Sequence, residues 1–188
     1  MKISFIPIRL REARKMCGYS LDQLTKAANV RVTRQSIYNY ERGVMQPKPD
    51  MVKALAETLG VNESFFYGKS TKIDMPMLRS TGDNMLSEED LQQLEAMLSY
   101  WAERYLLMEK KIGLKSVFSN PLADIKVSTL DDIILAADHL REAWKCGSGP
   151  LPAVLRFMER KGVKILSAEL PDEIWGLSTF ADETHPLI

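Results

Sequence analysis

The residues best equipped for chemistry sit together in Thr33-Arg-Gln-Ser-Ile-Tyr-Asn-Tyr-Glu-Arg-Gly43, a short capped helical stretch with Arg34, Gln35 and Asn39 on one face. Arg can bond both acceptors of a guanine edge, and Gln or Asn can bond the acceptor and donor of adenine, each good pair being worth roughly 1 to 3 kcal/mol of discrimination. Just upstream, Ser20-Leu-Asp-Gln-Leu-Thr-Lys-Ala-Ala-Asn29 reads as another short helix. Helix, turn and capped helix are what a chain needs to lay side chains along base edges in the major groove of double-stranded DNA.

Other chemistry is hard to assemble from this sequence. His139, in Asp138-His-Leu-Arg-Glu142, has no second His at i+4, and His185 stands in a polar turn before Pro186, places where a lone His is a surface or capping residue. Cys17 and Cys146 lack CxxC spacing and read as small buried hydrophobes, giving neither a disulfide framework nor a thiolate metal site. Cys146-Gly-Ser-Gly-Pro150 is followed by no Gly-Lys-Ser/Thr and reads as an interhelical turn instead of a phosphate loop. The expectation is no catalytic residue, no metal, no cofactor and no enzymatic activity.

The elements that must position Arg34, Gln35 and Asn39 are legible around them. A first helix spans about Ile8 to Cys17, striped by Leu10, Ala13 and Cys17, and stops at Gly18. Ser20 caps helix two, Gln23 completes a capping box, and Leu21, Leu24 and Ala28 face inward. Asn29 is suited to a left-handed turn, and Thr33 caps helix three, whose Ile37 and Tyr40 return to the core. Gly43 ends that helix. Asp50 to Leu59 reads as a fourth helix through Met51, Leu55 and Leu59, closed by Gly60, and Asn62 caps a fifth whose Phe65, Phe66 and Tyr67 plug the bottom of the domain.

With these elements in place, Leu10 to Tyr67 resembles the XRE family of helix-turn-helix domains, the group that includes the lambda-type phage repressors and Cro. The resemblance implies base contacts from the first, second and sixth positions after the helix-three cap, here Arg34, Gln35 and Asn39. Ser20, Thr33, Ser36, Tyr38 and Arg42 are then placed for the DNA backbone. The family's helix-one Arg and helix-three Glu map to Arg14 and Glu41, read as a structural ion pair. The turn carries Arg31-Val32, two residues more than the shortest family turn, so Arg31 either reaches a phosphate or is solvated.

The 188 residues allow one or two domains, and 45% hydrophobic content is ordinary for a globular chain. A net charge of zero hides an asymmetry: residues 1–72 hold 13 Lys/Arg against 6 Asp/Glu, whereas 73–188 hold 12 against 19. A basic head on an acidic body suits nucleic acid at one end and protein at the other. The N-terminus is charged too soon for a signal peptide and no long apolar run occurs, which points to a cytoplasmic protein without membrane attachment.

Residues 69–87 are polar and aperiodic, a linker in which Met75-Pro-Met-Leu-Arg79 is able to dock as an extended piece. Ser87-Glu-Glu-Asp90 then opens a long amphipathic helix over 88–115, with acids at the positive end of its dipole. Leu91, Leu94, Leu98, Trp101, Tyr105, Met108 and Ile112 follow at alternating spacings of three and four, a heptad seam that either pairs two chains as a homodimer or packs on the same chain.

Beyond it, a helix runs from Thr129 to Cys146 and another from Leu151 to Lys161. Then the period changes: Val163 to Leu166 and Ile174 to Phe180 read as strands, and Pro186 to Ile188 begins a third. This order, with Leu155-Arg-Phe-Met-Glu-Arg-Lys-Gly-Val-Lys-Ile165 and Trp175-Gly-Leu-Ser-Thr-Phe180, resembles the opening of the ImmA/IrrE family of zinc metallopeptidases, domains often fused behind an XRE-type head. The resemblance covers about 120 to 188 and stops before the family's HExxH zinc helix, which would follow the third strand.

The expected fold is therefore mainly α: a five-helix lambda-repressor-like DNA-binding domain (1–68), a linker, a long helix, and a partial α+β region (116–188) with two or three short strands. Two functions remain open. One is a sequence-specific regulator, a dimeric repressor. The other is the front of a repressor-peptidase fusion, or an antitoxin-like protein, whose rear half binds a protein partner such as a toxin or a regulator.

Overall fold

The computed structural model describes residues 4–80, 86–114, 117–168, 170 and 174–188. Four α-helices and one 3-10 turn build the head: α1 (Pro7–Met16), α2 (Leu21–Ala27), α3 (Arg34–Glu41), α4 (Pro49–Thr58) and the 3-10 segment Glu63–Tyr67. Leu10, Leu24, Ile37, Leu55 and Phe66 are fully buried at its centre, one from each element.

Local chemistry sets the boundaries. Ser20 Oγ accepts from the Gln23 amide at 3.2 Å while the Ser20 amide donates to Gln23 Oε1 at 2.7 Å, a closed capping box. Thr33 Oγ1 accepts from the Ser36 amide at 3.1 Å and starts α3. Gly18 and Gly60 follow α1 and α4 with φ of 67° and 64°, the left-handed geometry in which a residue with Cβ is strained.

Two expectations for the head need correction. The fifth helix is a 3-10 turn, capped by Asn62 Oδ1 accepting from the Ser64 amide at 3.0 Å; over five residues the tighter turn brings both Phe65 and Phe66 into the core. Asn29 is not left-handed. The chain leaves α2 at Ala28 in extended geometry (φ −63°, ψ 123°), and the longer turn through Arg31-Val32 reverses direction without a positive φ.

The body is built on α5 (Glu88–Lys111), capped by Ser87 Oγ accepting from the Asp90 amide, and on α6 (Leu130–Ala143) and α7 (Val154–Arg160). Strands β1 (Met77–Ser80), β2 (Ile174–Ala181) and β3 (His185–Leu187) form an antiparallel sheet in the order β1-β2-β3. The segment read as a linker thus contributes an edge strand: Met77 pairs with Ser178 and Leu78 with Leu177, and Ile73 bridges Ala181. Thr81 to Met85 of that segment lie outside the described residues.

Val163 to Leu166 was expected to be a full strand and is not. Lys164 makes one parallel bridge to Leu187, and its side chain turns inward to put Nζ 2.7 Å from Glu109 Oε1 on α5. The β2–β3 connection is a tight turn in which Asp182 and Glu183 both take positive φ, 47° and 60°, as hairpins of matching twist require. Both helices of the rear half are shorter than their sequence pattern. Ala153, with φ of 49°, delays the start of α7 beyond Leu151-Pro152.

Head and body touch through α1 and α5. Arg9, fully buried, donates from Nε to the Phe65 carbonyl (2.9 Å), from Nη1 to Glu12 (2.9 Å) and from Nη2 to Glu103 on α5 (2.5 Å). Its guanidinium also lies 3.6 Å from the Phe65 ring centroid. Beside it Tyr100 packs on Phe65, ring centroids 5.9 Å apart. The long helix is thus held against the head along its middle, not extended away from it.

The heptad seam does not form one continuous face. Leu94 and Leu98 are buried within the chain, Leu91 and Tyr105 are half-buried, and Trp101, Met108 and Ile112 are exposed. The residues α5 buries most completely include Ala96, Ser99 and Ala102, which lie off the seam.

Candidate nucleic-acid interface

Ile37 and Tyr40 anchor α3 in the core and thereby decide which side of the helix faces out. That side carries Arg34, Gln35 and Tyr38, all exposed, with Ser36 and Asn39 half-exposed beside them. The three expected base-reading residues therefore share one solvent face. Gln35 Nε2 donates to Asn39 Oδ1 at 3.0 Å, one turn along, so the two amides are held as a pair with their remaining donors and acceptors turned outward.

Arg34 lies at the N-terminal end of this face, where its Nε is 3.4 Å from Asp22 Oδ2 on α2; both side chains are more than half exposed. An exposed pair of this kind contributes at most about 1 kcal/mol and is readily exchanged for a stronger acceptor. Sequence reasoning missed Asp22. The signal was present, an acid in the first turn of α2 facing the start of α3 across the turn.

At the other end, Arg42 Nη1 donates to the Tyr38 hydroxyl at 3.1 Å with its guanidinium 5.5 Å over the Tyr38 ring, which holds a cation beside the exit of α3. Thr33 Oγ1 and Ser36 Oγ are 2.9 Å apart at the entrance. The hydroxyl-rich entrance and the cationic exit flank the amide pair as phosphate-binding groups flank base-reading ones. Ser20 is exposed at the start of α2, and Arg31 is exposed in the turn.

The exposed face is backed by a rigid tie. Arg14 on α1 meets Glu41 on α3 through two hydrogen bonds, Nε to Oε1 at 2.6 Å and Nη2 to Oε2 at 2.8 Å, and its Nη1 donates to the Tyr19 carbonyl at 2.7 Å. Both side chains are only 7% exposed, so neither is available to DNA. Asn39 and the loop after α3 are tied too, since the Asn39 carbonyl accepts from the amides of Val44 and Met45. That loop leaves Val44 and Met45 exposed next to the reading face, apolar groups of the kind that can pack on a thymine methyl, which sequence reasoning passed over.

The two histidines and two cysteines sit at separate places in the fold. His139 is exposed on α6, and His185 Nδ1 lies 3.0 Å from Thr184 Oγ1 and 3.3 Å from the Ala181 carbonyl oxygen. Cys17 and Cys146 are free and half-buried; burial pushes the Cys17 thiol up, and its Sγ contacts the Leu59 carbonyl at 3.5 Å. Among the described residues no cluster of three His, Cys, Asp or Glu is placed to hold a metal ion. No helix among them is long and apolar enough to cross a membrane.

Residues 10–66 match the helix-turn-helix family model, which runs from within α1 into the 3-10 turn and includes every candidate DNA-contacting residue. The match makes this part of the chain similar to helix-turn-helix domains and points to a DNA-binding transcription regulator. No curated protein and no solved structure matches the chain in the corresponding comparisons.

Proposed function

We propose that the protein is a sequence-specific repressor that reads the major groove of double-stranded DNA with α3. The observation that carries this is the single solvent face holding Arg34 and the Gln35–Asn39 amide pair, on a helix fixed from behind by Arg14 and Glu41. Arg34 bonds a guanine edge, the amide pair an adenine edge, and Thr33, Ser36, Tyr38, Arg42 and Ser20 grip phosphates and fix the register. The protein acts in the cytoplasm and performs no catalysis.

Binding as a homodimer to two half-sites about one helical turn apart accounts for the exposed far end of the α5 seam, Met108 and Ile112. The order α6, α7, β2, β3 of the rear half, with Val163 to Leu166 reduced to one bridge, supports reading it as ImmA/IrrE-like, here in a regulatory and not a peptidase role. A second reading, in which the rear half holds a protein partner, is favoured by the apolar row Leu130, Ile134 and Leu135 that α6 leaves exposed. Selection of bound oligonucleotides from a random pool tests the main reading. The expected product is a two-fold symmetric pair of half-sites; recovery of no enriched sequence would sink it.

A further inference from the structure

We propose that the cavity between α5 and the β2–β3 part of the body binds an amphipathic aromatic cation, and that its occupancy alters DNA binding through α5. The regulatory half rests on the DNA-binding reading above; the binding half does not.

The cavity measures about 630 Å³, within the range of small-ligand sites. Leu94, Met97 and Leu98 of α5 form one wall, and Leu166, Leu177 and Leu187 form the other. Two of the chain's three tryptophans line it, and both are unusually open for so large an apolar ring, Trp101 at 49% and Trp175 at 68% exposed. An apolar chamber with two accessible indoles is suited to a flat hydrophobic body, and indole is the aromatic side chain that attracts a cation most strongly.

Charge selects among hydrophobic occupants. Among the described lining residues Asp90 is the one ionisable side chain, and no Lys, Arg or His is present. Asp90 is exposed, its Oδ2 accepts from Ser87 Oγ at 2.5 Å, and Glu88 and Glu89 stand exposed in the same first turn of α5. An anion entering here meets the Asp90 carboxylate and no cationic side chain among the described lining residues, whereas a cation with an aromatic body satisfies both the indoles and the carboxylate.

The same helix reaches the head. Gln93 lines the cavity and also donates from Nε2 to the Met16 carbonyl at 3.5 Å, at the end of α1; a Cβ built on Gly18 would lie 3.2 Å from its Oε1. Gly18 with its positive φ leads directly into the Ser20 cap of α2. A ligand that displaces Gln93 therefore acts on the joint that sets α2, and with it α3, against α1. Glu103, farther along α5, holds Arg9 and completes the connection.

Tetraphenylphosphonium, titrated against the full chain without DNA, should quench tryptophan emission saturably. Asp90→Asn and Trp101→Ala, both at exposed positions, should each weaken this by about tenfold. Absence of saturable quenching overturns the proposal, as does equal affinity for 8-anilinonaphthalene-1-sulfonate, an anionic aromatic. With the selected operator, saturating cation should shift DNA affinity at least about fivefold, and Gln93→Ala should remove that shift. Cation binding with no shift overturns the regulatory half. Failure of the cation-free protein to bind any DNA overturns the reading of the head alone, because the quenching titration uses no DNA.

Discussion

Arg14 and Glu41 form a bidentate pair at 2.6 and 2.8 Å across the α1–α3 contact, with both side chains almost completely buried. This pair holds the reading helix without touching what it reads. Removing one member leaves a buried charge unpaired, which costs about 3–5 kcal/mol. Glu41→Ala should therefore destabilise the head by that order in chemical denaturation. The double variant Arg14→Met, Glu41→Leu should recover most of the loss, because apolar replacement of a buried pair is close to neutral. Equal stability of Glu41→Ala and the parent would show that the pair is not a structural tie.

Base reading and backbone gripping separate by mutation. Arg34→Ala and Gln35→Ala should each lose roughly 1 to 3 kcal/mol of preference at one base position while nonspecific binding survives. Arg42→Ala should weaken all sequences alike and reduce the slope of log affinity against log salt by about 1. Uniform binding of parent and Arg34→Ala to every oligonucleotide would remove Arg34 from the reading set. Because Asp22 competes for Arg34, Asp22→Ala should tighten binding modestly, an effect that vanishes in the Arg34→Ala background.

The exposed end of the seam is where pairing between chains must be tested. Leu98 is buried and lines the cavity, so Leu98→Asp would damage the fold and report nothing about association. Met108→Asp with Ile112→Asp changes two exposed positions instead. Sedimentation should move from dimer to monomer with circular dichroism unchanged; an unaltered mass would place the dimer interface elsewhere or remove it.

What the sequence made legible, and what it did not, divides by range of interaction. The Ser20–Gln23 box, the Thr33 cap and the left-handed glycines act within three or four residues, so their pattern is written locally. The outward face of α3 followed from Ile37 and Tyr40 by helical period alone. Within the linker, Met75 to Arg79 was legible only as a piece able to dock in extended form, because four residues carry little periodicity and β2, the partner of β1, lies about a hundred positions away. Arg9 was passed over because its role depends on Glu103, 94 residues on. On α5, hydropathy marked the leucines and aromatics, but close packing selects small residues where backbones approach, and Ala96, Ser99 and Ala102 mark the buried side.

The cap of α6 should make that helix sensitive to acid. Hydrogen bonds from the Ser128 and Thr129 amides to Asp132 Oδ2, and from the Thr129 hydroxyl side, hold the Asp132 carboxyl below the usual carboxylate range. A carboxyl depressed in the folded state adds stability above its unfolded value and loses it as pH falls through the folded one. Amide exchange at Ser128 and Thr129 should therefore accelerate, relative to the α3 cap, as pH is lowered below the ordinary carboxylate range. Asp132→Ala should show fast exchange at every pH. A pH-independent difference between parent and variant would mean that the carboxylate does not supply the cap.

Arg9 offers the test of whether head and body behave as one unit. Its guanidinium is fully buried, and it bonds Phe65, Glu12 and Glu103 together, so one side chain ties α1, the 3-10 turn and α5. Glu103→Gln keeps a hydrogen-bond acceptor for Arg9 but removes the charge, whereas Arg9→Met removes both the charge and every donor. The expected order of stability is parent, then Glu103→Gln, then Arg9→Met, the last lower by about 1–3 kcal/mol because the buried Phe65 carbonyl loses its side-chain donor and the partly exposed Glu12 and Glu103 lose their shared cation. If α5 is an integral wall of the head, Arg9→Met should also expose the Phe65–Tyr100 contact and lower the unfolding temperature of head and body together. Two separate transitions, with only the head displaced, would show that the α1–α5 contact does not couple them.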